Sequence, residues 1–186
     1  TNKTLFYGQY IRSSSYFSNS DLSSTGLPSK EELEIINKLK NNVSKSVINE
    51  IYDPGKTDGS GNNRKNLRKA IQILKEANYK LENNILKNSE GKQIKFEILL
   101  ISPAFERIVG PFIKNLKKLG VEANIRIVDT AQYKNRLDTY DFDMVVMARG
   151  QSLNPGNEQR NFWASKSANI NGSANWIGIK NKTVDE

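Results

Sequence analysis

Cysteine and histidine are both absent from the 186 residues of this chain. Their absence excludes a disulfide framework, a thiolate nucleophile, a Ser-His-Asp triad and a zinc site of the usual His/Cys kind. Any catalytic chemistry would have to use carboxylates, lysine, tyrosine or serine. A chain of this size without cysteine fits a reducing cytosol and a periplasm equally well, so the absence assigns no compartment.

Long apolar runs are also missing. No stretch approaches the ~18–20 consecutive apolar residues of a membrane-spanning helix, and hydrophobic residues make up 37% of the chain, against ~45–50% in average usage. The length fits one domain of ordinary size with a sizeable core. We therefore predict a globular domain with a polar surface and no transmembrane segment.

The charge is unbalanced, with 28 basic and 20 acidic residues and a formal net charge of +8. Such an excess is compatible with binding to nucleic acid. Residues 1–93 contain 15 basic and 10 acidic side chains, residues 94–186 contain 13 and 10, and no run of bases exceeds two. This even spread along the sequence is typical of a solvated surface and argues against a nucleic-acid stripe.

Two amphipathic helices are predicted in the first half of the chain. Ser29 and Glu32 have the spacing of a capping box, which places a helix at about residues 30 to 40. Turn-forming residues fill positions 52–63 and predict a loop. Apolar residues then recur at helical spacing and predict a helix from about 64 to 77. Residues 1–28 mix aromatics and serines without a clear period, and we expect an irregular or short-strand segment there.

A strand, a helix and a second strand follow in close succession. Alternating apolar residues predict strands at 94–100 and 121–127. Ser102-Pro103 has the pattern of an N-cap and first helical position, Gly120 ends the helix, and Pro111 predicts a kink within it. Such a βαβ unit implies parallel strands. We further predict a helix at about 131–139 capped by Asp129, a strand at 142–148, and mostly loop over 149–186.

Acidic side chains are the most obvious candidates for acid–base chemistry. Asp129, Asp138, Asp141 and Asp143 are close in sequence, but their positions at a helix cap, on a helix and at a strand entrance favour structural roles. The Gly-containing segment 58–62 lacks both the EF-hand spacing and a Walker Gly-Lys-Ser/Thr sequence, so we predict a turn rather than a calcium or phosphate site.

The loop that follows the predicted strand 142–148 is the best candidate for a binding site. It runs from Arg149 to Arg160 and is polar and rich in turn residues. Ligands of open α/β sheets gather beyond the carboxyl ends of strands, where Gly and amide side chains supply hydrogen bonds. The alternative is an exposed connector. Trp163 and Trp176 could each stack on a ligand or pack in the core.

Taken together, several segments resemble the extracellular solute-binding proteins of peptide ABC importers, the dipeptide/oligopeptide-binding family 5. The segments that carry this resemblance are 67–79, 94–100, 116–121, 131–137 and 141–144. Details at 57–62, 105–108, 129–133 and 155–160 are similar to the branch associated with oligopeptide and microcin C uptake.

The resemblance implies an α/β fold of the type II periplasmic-binding-protein class, a lobe with a βαβ-containing mixed sheet flanked by helices. Family members are longer and two-lobed, so residues 1–28 are expected to form a hinge-proximal segment and residues 29–186 the C-terminal lobe. The implied function is the binding of oligopeptides or peptide-like compounds for import, without catalysis, cofactor or metal. The implied partners are the peptide and the permease of the inner membrane, and the implied setting is a monomer in the periplasm or outside the cell.

Ligand contacts are transferred from the family by position. Counting from Phe142-Asp143, the family's Trp-x-x-Asp segment falls on Arg149, Gly150, Gln151 and Ser152, where Arg149 replaces the Trp and Ser152 the Asp. The Asp that holds a peptide's free amine is therefore missing, and Arg149 is expected to face a carboxylate, phosphate or other anion. Otherwise Arg149 would be solvated or paired with Asp143 or Glu158.

Two aromatic residues complete the predicted ligand site, namely Tyr133 and Trp163. Two other functions stay open at this level. A basic nucleic-acid-binding α/β module would need a positive stripe with interleaved aromatics. A carboxylate-dependent hydrolase would need two acidic side chains that face one pocket.

Overall fold

The computed structural model describes residues 2–39, 43–53 and 55–185. The chain divides into two compact units. Unit 1 contains residues 1–11, 55–137 and 141–148, and unit 2 contains residues 12–54, 138–140 and 149–186. No helix within the described ranges combines the length and the apolar character needed to cross a bilayer.

Helices and strands alternate through the middle of the chain and give way to short helices at its ends. In chain order they are α1 (Asn2–Leu5), α2 (Lys30–Lys38), α3 (Lys45–Asn49), α4 (Arg64–Glu76), β1 (Lys80–Glu82), β2 (Ile85–Lys87), β3 (Lys95–Leu100), α5 (Glu106–Lys118), β4 (Glu122–Ile127), α6 (Thr130–Asp138), β5 (Met144–Val145), α7 (Glu158–Trp163) and α8 (Lys182–Asp185). Short 3₁₀ turns lie at Pro103–Phe105 and Ser165–Ser167.

The predicted βαβ unit is present in unit 1. Strands β3 and β4 pair in parallel from Lys95↔Glu122 to Leu100↔Ile127, and β5 pairs in parallel with the other edge of β3, giving the order β4-β3-β5. Antiparallel pairing in this unit occurs in the β1-β2 hairpin and at an isolated bridge between Lys87 and Gln93. Helix α5 continues through Pro111, which confirms one helix across this proline, and the kink stays a prediction.

Three clusters of buried apolar side chains form the core of unit 1. One joins β3 to α6, a second lies under α4 and the β1-β2 hairpin, and a third joins β3 to α5. Ile98, Leu99 and Leu100 are 0–1% exposed. Both faces of β3 are therefore buried, as expected for the central strand of a parallel sheet.

Helix starts follow the predicted capping chemistry. The Ser29 hydroxyl accepts from the Glu32 N–H and the Glu32 carboxylate accepts from the Ser29 N–H, which completes the capping box of α2. The Asp129 carboxylate accepts from the Gln132 N–H at the start of α6. Of the predicted end of α2, residue 40 lies outside the described residues, as does Pro54 of the loop 52–63.

The β1-β2 hairpin was not predicted. Asn83 and Asn84 form its turn with φ values of 49° and 63°, and asparagine tolerates this left-handed backbone better than most residues. The Leu86 N–H donates to the Gly120 carbonyl and so joins the hairpin to the end of α5. Strands of three residues are too short to show a clear alternation, which explains the omission.

The prediction for residues 142–148 was too long, because strand pairing is confined to Met144–Val145. The Asp143 carboxylate accepts the Glu97 N–H, so a side chain occupies the donor that a longer β5 would use. The Val146 carbonyl is likewise taken by the Tyr133 hydroxyl. The helices α7 and α8 within 149–186 were also missed, since both are short and lack an apolar period.

Candidate ligand-binding site

The Arg149 side chain lies among aromatic rings in unit 2. Its Cζ is 4.1 Å from the centroid of Phe162, 4.6 Å from that of Trp176 and 5.2 Å from that of Trp163. Its Nη2 donates to the Ala174 carbonyl at 2.5 Å. A guanidinium held by π faces and one carbonyl is fixed in place.

Neither alternative for Arg149 agrees with these contacts. The side chain is half-buried rather than solvated. The Glu158 carboxylate accepts instead from Gly156, Gln151 and Gln159, and the Asp143 carboxylate accepts from the Glu97 N–H. Among the described residues, only the Ala174 carbonyl accepts a hydrogen bond from Arg149, so its other N–H groups have no acceptor there.

A chain of amide hydrogen bonds connects Gln151 to Trp163. Gln159 Nε2 donates to Gln151 Oε1 at 2.8 Å, and the Trp163 indole N–H donates to Gln159 Oε1 at 3.0 Å. Glu158 Oε1 accepts from the Gly156 N–H at 2.8 Å and from both glutamine amides at 3.3 Å. The predicted contact residues Gln151 and Trp163 thus belong to one network.

Hydrogen bonding also sets the ionisation of Glu158. The pKa of its carboxyl group lies below the ordinary glutamate value, chiefly because the Gly156 N–H donates to the charged form. Its own backbone N–H and the amides of Gln159 and Gln151 act in the same direction. Glu158 is therefore a stable anion at neutral pH that orders the loop 151–159.

Asn175 is a buried residue that holds the two neighbours of Arg149 on either side of it in sequence, Ala174 and Trp176. It is 0% exposed, its side-chain amide donates to the carbonyls of Ala164 and Ile179, and its oxygen accepts from the Ile179 N–H. Its neighbours in sequence are Ala174 and Trp176, both of which contact Arg149. A fully satisfied buried amide thus holds two walls of the Arg149 environment in position.

The remaining predicted loop residues are exposed. The Ser152 hydroxyl donates to the Asn154 carbonyl at 2.6 Å. Gly150 has no heavy atom within 4 Å of the position that a Cβ would occupy. Trp163 is half-buried and packs edge-to-face against Tyr16, with 5.0 Å between ring centroids.

Tyr133 lies in the core of unit 1. It is 8% exposed and packs with Leu99, Val128 and Leu137. Its hydroxyl donates to the Val146 carbonyl at 3.0 Å, and burial raises the pKa of its phenol. These contacts give Tyr133 a packing role, and its contact with a ligand stays a prediction.

Sequence reasoning missed several members of this site. Phe162, Ala174 and Asn175 were not singled out, and Trp176 was weighed only as a stacking or core residue. The adjacent aromatics Phe162 and Trp163 were a usable signal, because two neighbouring rings downstream of an arginine favour cation–π contacts. The burial of Asn175 could not be predicted from the sequence, since one asparagine in a polar segment does not indicate burial.

Structural roles are confirmed for three of the four clustered aspartates. Asp129 caps α6, Asp143 accepts from the Glu97 N–H, and Asp141 pairs with the Arg136 guanidinium at 3.0 Å. Arg136 also pairs with Glu97 at 2.9 Å. The turn predicted at 58–62 is present, with the Asp58 carboxylate accepting from the Ser60 N–H and hydroxyl.

Comparison with known proteins identifies the family. The sequence model of the bacterial extracellular solute-binding proteins, family 5, middle region, matches residues 1–171. The chain belongs to this family. The resemblance inferred from the sequence segments is therefore confirmed.

Relatives match over almost the whole of this chain. It is 44% identical over 185 residues to the probable peptide-binding protein YejA of Agrobacterium fabrum, and 36% identical to the peptidoglycan-binding protein YepA of the same organism. Both alignments cover 99% of this chain and 30% of the relative. The family 5 chain therefore spans about 30% of the length of these relatives.

Solved structures agree with the type II periplasmic-binding-protein fold. The oligopeptide-binding protein AppA from Bacillus subtilis, solved with a nonapeptide, is 29% identical with a TM-score of 0.54 over 63% of this chain and 24% of AppA. NikZ from Campylobacter jejuni, solved with Ni(L-His), is 18% identical with a TM-score of 0.56 over 84% of this chain and 32% of NikZ. The second similarity shows the fold alone.

Proposed function

We propose that this family 5 chain is part of the substrate-binding component of an ABC importer and contributes contacts to an oligopeptide or peptide-like ligand. The family match over residues 1–171 carries the proposal. The name of the relative that is 44% identical, a probable peptide-binding protein, supports peptides as the ligand class. The name of the relative that is 36% identical, a peptidoglycan-binding protein, supports peptide-like compounds as well.

The proposed contacts lie on the loop that begins at Arg149. Gly150 and Ser152 are exposed there, and Gln151 and Trp163 are half-buried beside them. Extended peptides are recognised chiefly through their main chain, for which amide side chains and backbone groups are suitable partners. Tyr133 is omitted from the proposed contacts because it is buried in the core of unit 1.

Arg149 is proposed to bind a carboxylate of the ligand. Its guanidinium is held in place by Phe162, Trp176 and the Ala174 carbonyl, so little side-chain entropy is lost when a ligand binds. The N–H groups that are not used within the protein can form charge-assisted hydrogen bonds. A peptide C-terminus or an acidic side chain is the chemistry that matches them.

Intrinsic fluorescence offers a direct test, because both tryptophans of the chain lie near Arg149. The chain would replace the matching 185 residues of YejA from A. fabrum, which restores a polypeptide of full family length. We expect saturable fluorescence changes on titration with short peptides, and weaker binding of the same peptides with amidated C-termini.

The 186-residue chain alone serves as the reference. It should show no saturation at micromolar peptide, because a two-lobed binder gains much of its affinity by enclosing the ligand. Failure of the exchanged protein to bind any peptide that unmodified YejA binds would contradict the proposed function. Equal affinity for free and amidated peptides would contradict only the carboxylate assignment of Arg149.

Binding without catalysis is the proposed activity, since the family consists of solute-binding proteins. We propose a periplasmic or extracellular location, in keeping with the family's description as extracellular. The proposed partners are the permease subunits of the importer, reached by a monomeric binding protein. An assay of peptide uptake in cells that lack their own family 5 protein would test this set of partners.

A further inference from the structure

The excess of basic over acidic residues is confined to unit 1. Unit 1 contains 18 basic and 10 acidic residues, whereas unit 2 contains 10 of each. The whole excess of +8 therefore lies in unit 1. Counting along the sequence by halves concealed this division, because segments of the two units alternate along the chain.

Helix α4 carries the densest part of this charge. Its exposed basic residues are Arg64, Lys65, Arg68, Lys69 and Lys75. At roughly 100° per residue they cover about 140° of the helix circumference, and they extend over about 17 Å of its length. The opposite face, which includes Leu67 and Leu74, packs against the core of unit 1.

The five basic side chains of α4 take part in none of the ion pairs found among the described residues. Ion pairs in unit 1 involve Lys87, Lys95 and Arg136, and in the part of the chain that the structure describes no carboxylate pairs with a basic residue of α4. The only acidic residue of α4 is Glu76 at its end, which accepts from Gln72. The basic face of α4 is thus an array of charges without an ion-pair partner among the described residues.

We propose that the basic face of α4 binds an anionic membrane surface through its lipid headgroups. The charges are spread over a wide arc of the helix, which suits a field of many headgroups better than a single ion pair. The apolar side of α4 is already buried, so the helix lies on the surface and does not insert. This binding is independent of the ligand proposed for Arg149.

Vesicle sedimentation tests the proposal with the full 186-residue chain. The probes are vesicles with about 30% phosphatidylglycerol in phosphatidylcholine, and vesicles of phosphatidylcholine alone. We expect binding to the anionic vesicles only, and its loss between about 0.05 M and about 0.5 M salt, because surface charges are screened.

Two fourfold variants with the same change in net charge locate the surface. The first changes Arg64, Lys65, Arg68 and Lys69 to Gln on α4. The second changes Lys30, Lys38, Lys180 and Lys182 to Gln, all of which are exposed in unit 2. The α4 variant should bind anionic vesicles about tenfold or more weakly, and the unit 2 variant should bind like the parent chain.

Each of the other results would overturn the proposal. Equal binding to the two kinds of vesicle would exclude headgroup charge as the attraction. Equal loss in the two variants would show that net charge, not the α4 face, is responsible. Absence of vesicle binding would leave an acidic protein surface as the partner of α4. Circular dichroism of each variant checks that the fold is unchanged.

Discussion

The guanidinium of Arg149 lies over the ring of Phe162, with 4.1 Å between Cζ and the ring centroid. Thirteen positions separate the two residues in sequence, and the contact fixes the loop after Arg149 against α7. Trp176 and the Ala174 carbonyl hold the same guanidinium. Arg149 is therefore a structural centre of unit 2 as well as the proposed contact for a ligand carboxylate.

Replacement of Arg149 should lower the stability of unit 2. Arg149→Ala removes contacts with three rings and a charged hydrogen bond, with an expected loss of about 2–4 kcal/mol. Urea unfolding followed by tryptophan fluorescence measures this loss, because Trp163 and Trp176 both lie in unit 2.

Arg160→Ala is the matched control for Arg149→Ala. Arg160 is exposed on α7, and its removal changes the net charge equally. Its effect should stay within about 0.5 kcal/mol. Similar losses for the two variants would show that the aromatic contacts of Arg149 contribute nothing.

Gly120 and Gly110 should respond to alanine to very different extents. Gly120 has a φ of +78°, and an added Cβ would lie 2.6 Å from the Leu86 backbone nitrogen. Gly120→Ala should cost about 3 kcal/mol, from strain and from displacement of the hairpin. Gly110 lies inside α5 directly before Pro111, where the entropic gain from a Cβ is opposed by its clash with the proline ring, so Gly110→Ala should change stability by less than about 1 kcal/mol.

Thermal unfolding followed by circular dichroism measures both glycine variants. A Gly120→Ala variant as stable as the parent chain would show that the β1-β2 hairpin can move away from the added Cβ without a loss of stability. A Gly110→Ala variant that loses as much stability as Gly120→Ala would contradict the small effect expected inside α5.

Tyr133→Phe separates packing from ligand contact. The variant loses the hydrogen bond to the Val146 carbonyl, and we expect a loss of about 1 kcal/mol in denaturant unfolding. Tyr7→Phe is the control, since Tyr7 is 87% exposed and should change stability by less than about 0.5 kcal/mol. Unchanged stability with weakened peptide binding would instead favour the ligand role predicted for Tyr133.

Acid should loosen the loop around Glu158. Its pKa is lower in the folded than in the unfolded state, so the folded state binds fewer protons and is favoured above the usual glutamate pKa. This contribution is lost as the pH falls below about 4 and through the folded pKa. Trp163 fluorescence in a Trp176→Phe background should follow the loss, because Gln159 links the indole to Glu158.

Glu158→Gln provides the control for the acid titration, because it removes the titrating group at the same position. The part of the transition below about pH 4 that belongs to Glu158 should then disappear. An unaltered titration would assign the transition to other carboxylates whose pKa is lowered, such as that of Asp185.

Local chemistry explains which elements the sequence predicted well. The capping pair of Ser29 and Glu32 lies within four residues, and the alternation that defines β3 lies within six. Such signals need no knowledge of distant segments. The hairpin of β1 and β2 was not predicted, because one of its supporting contacts is made between Leu86 and Gly120, which is far from the turn in sequence.

Long-range contacts explain why the site was only partly predicted. The position of Arg149 followed from the family resemblance, but its environment is made by α7 and by residues near position 175. Burial of Asn175 requires acceptors at Ala164 and Ile179. The pattern of residues within one helix or strand does not predict that three segments distant in sequence will contact one another.

The interior around Asn175 gives unit 2 an unusual thermal character. Its buried residues are Ser167, Ala168, Ser173 and Asn175, while the buried apolar clusters belong to unit 1. Exposure of apolar surface raises the heat capacity of the unfolded state and exposure of polar surface lowers it. Unfolding of unit 2 is therefore expected to change the heat capacity less per residue than unfolding of unit 1. Cooling should therefore weaken the apolar core of unit 1 more than the hydrogen-bonded interior of unit 2.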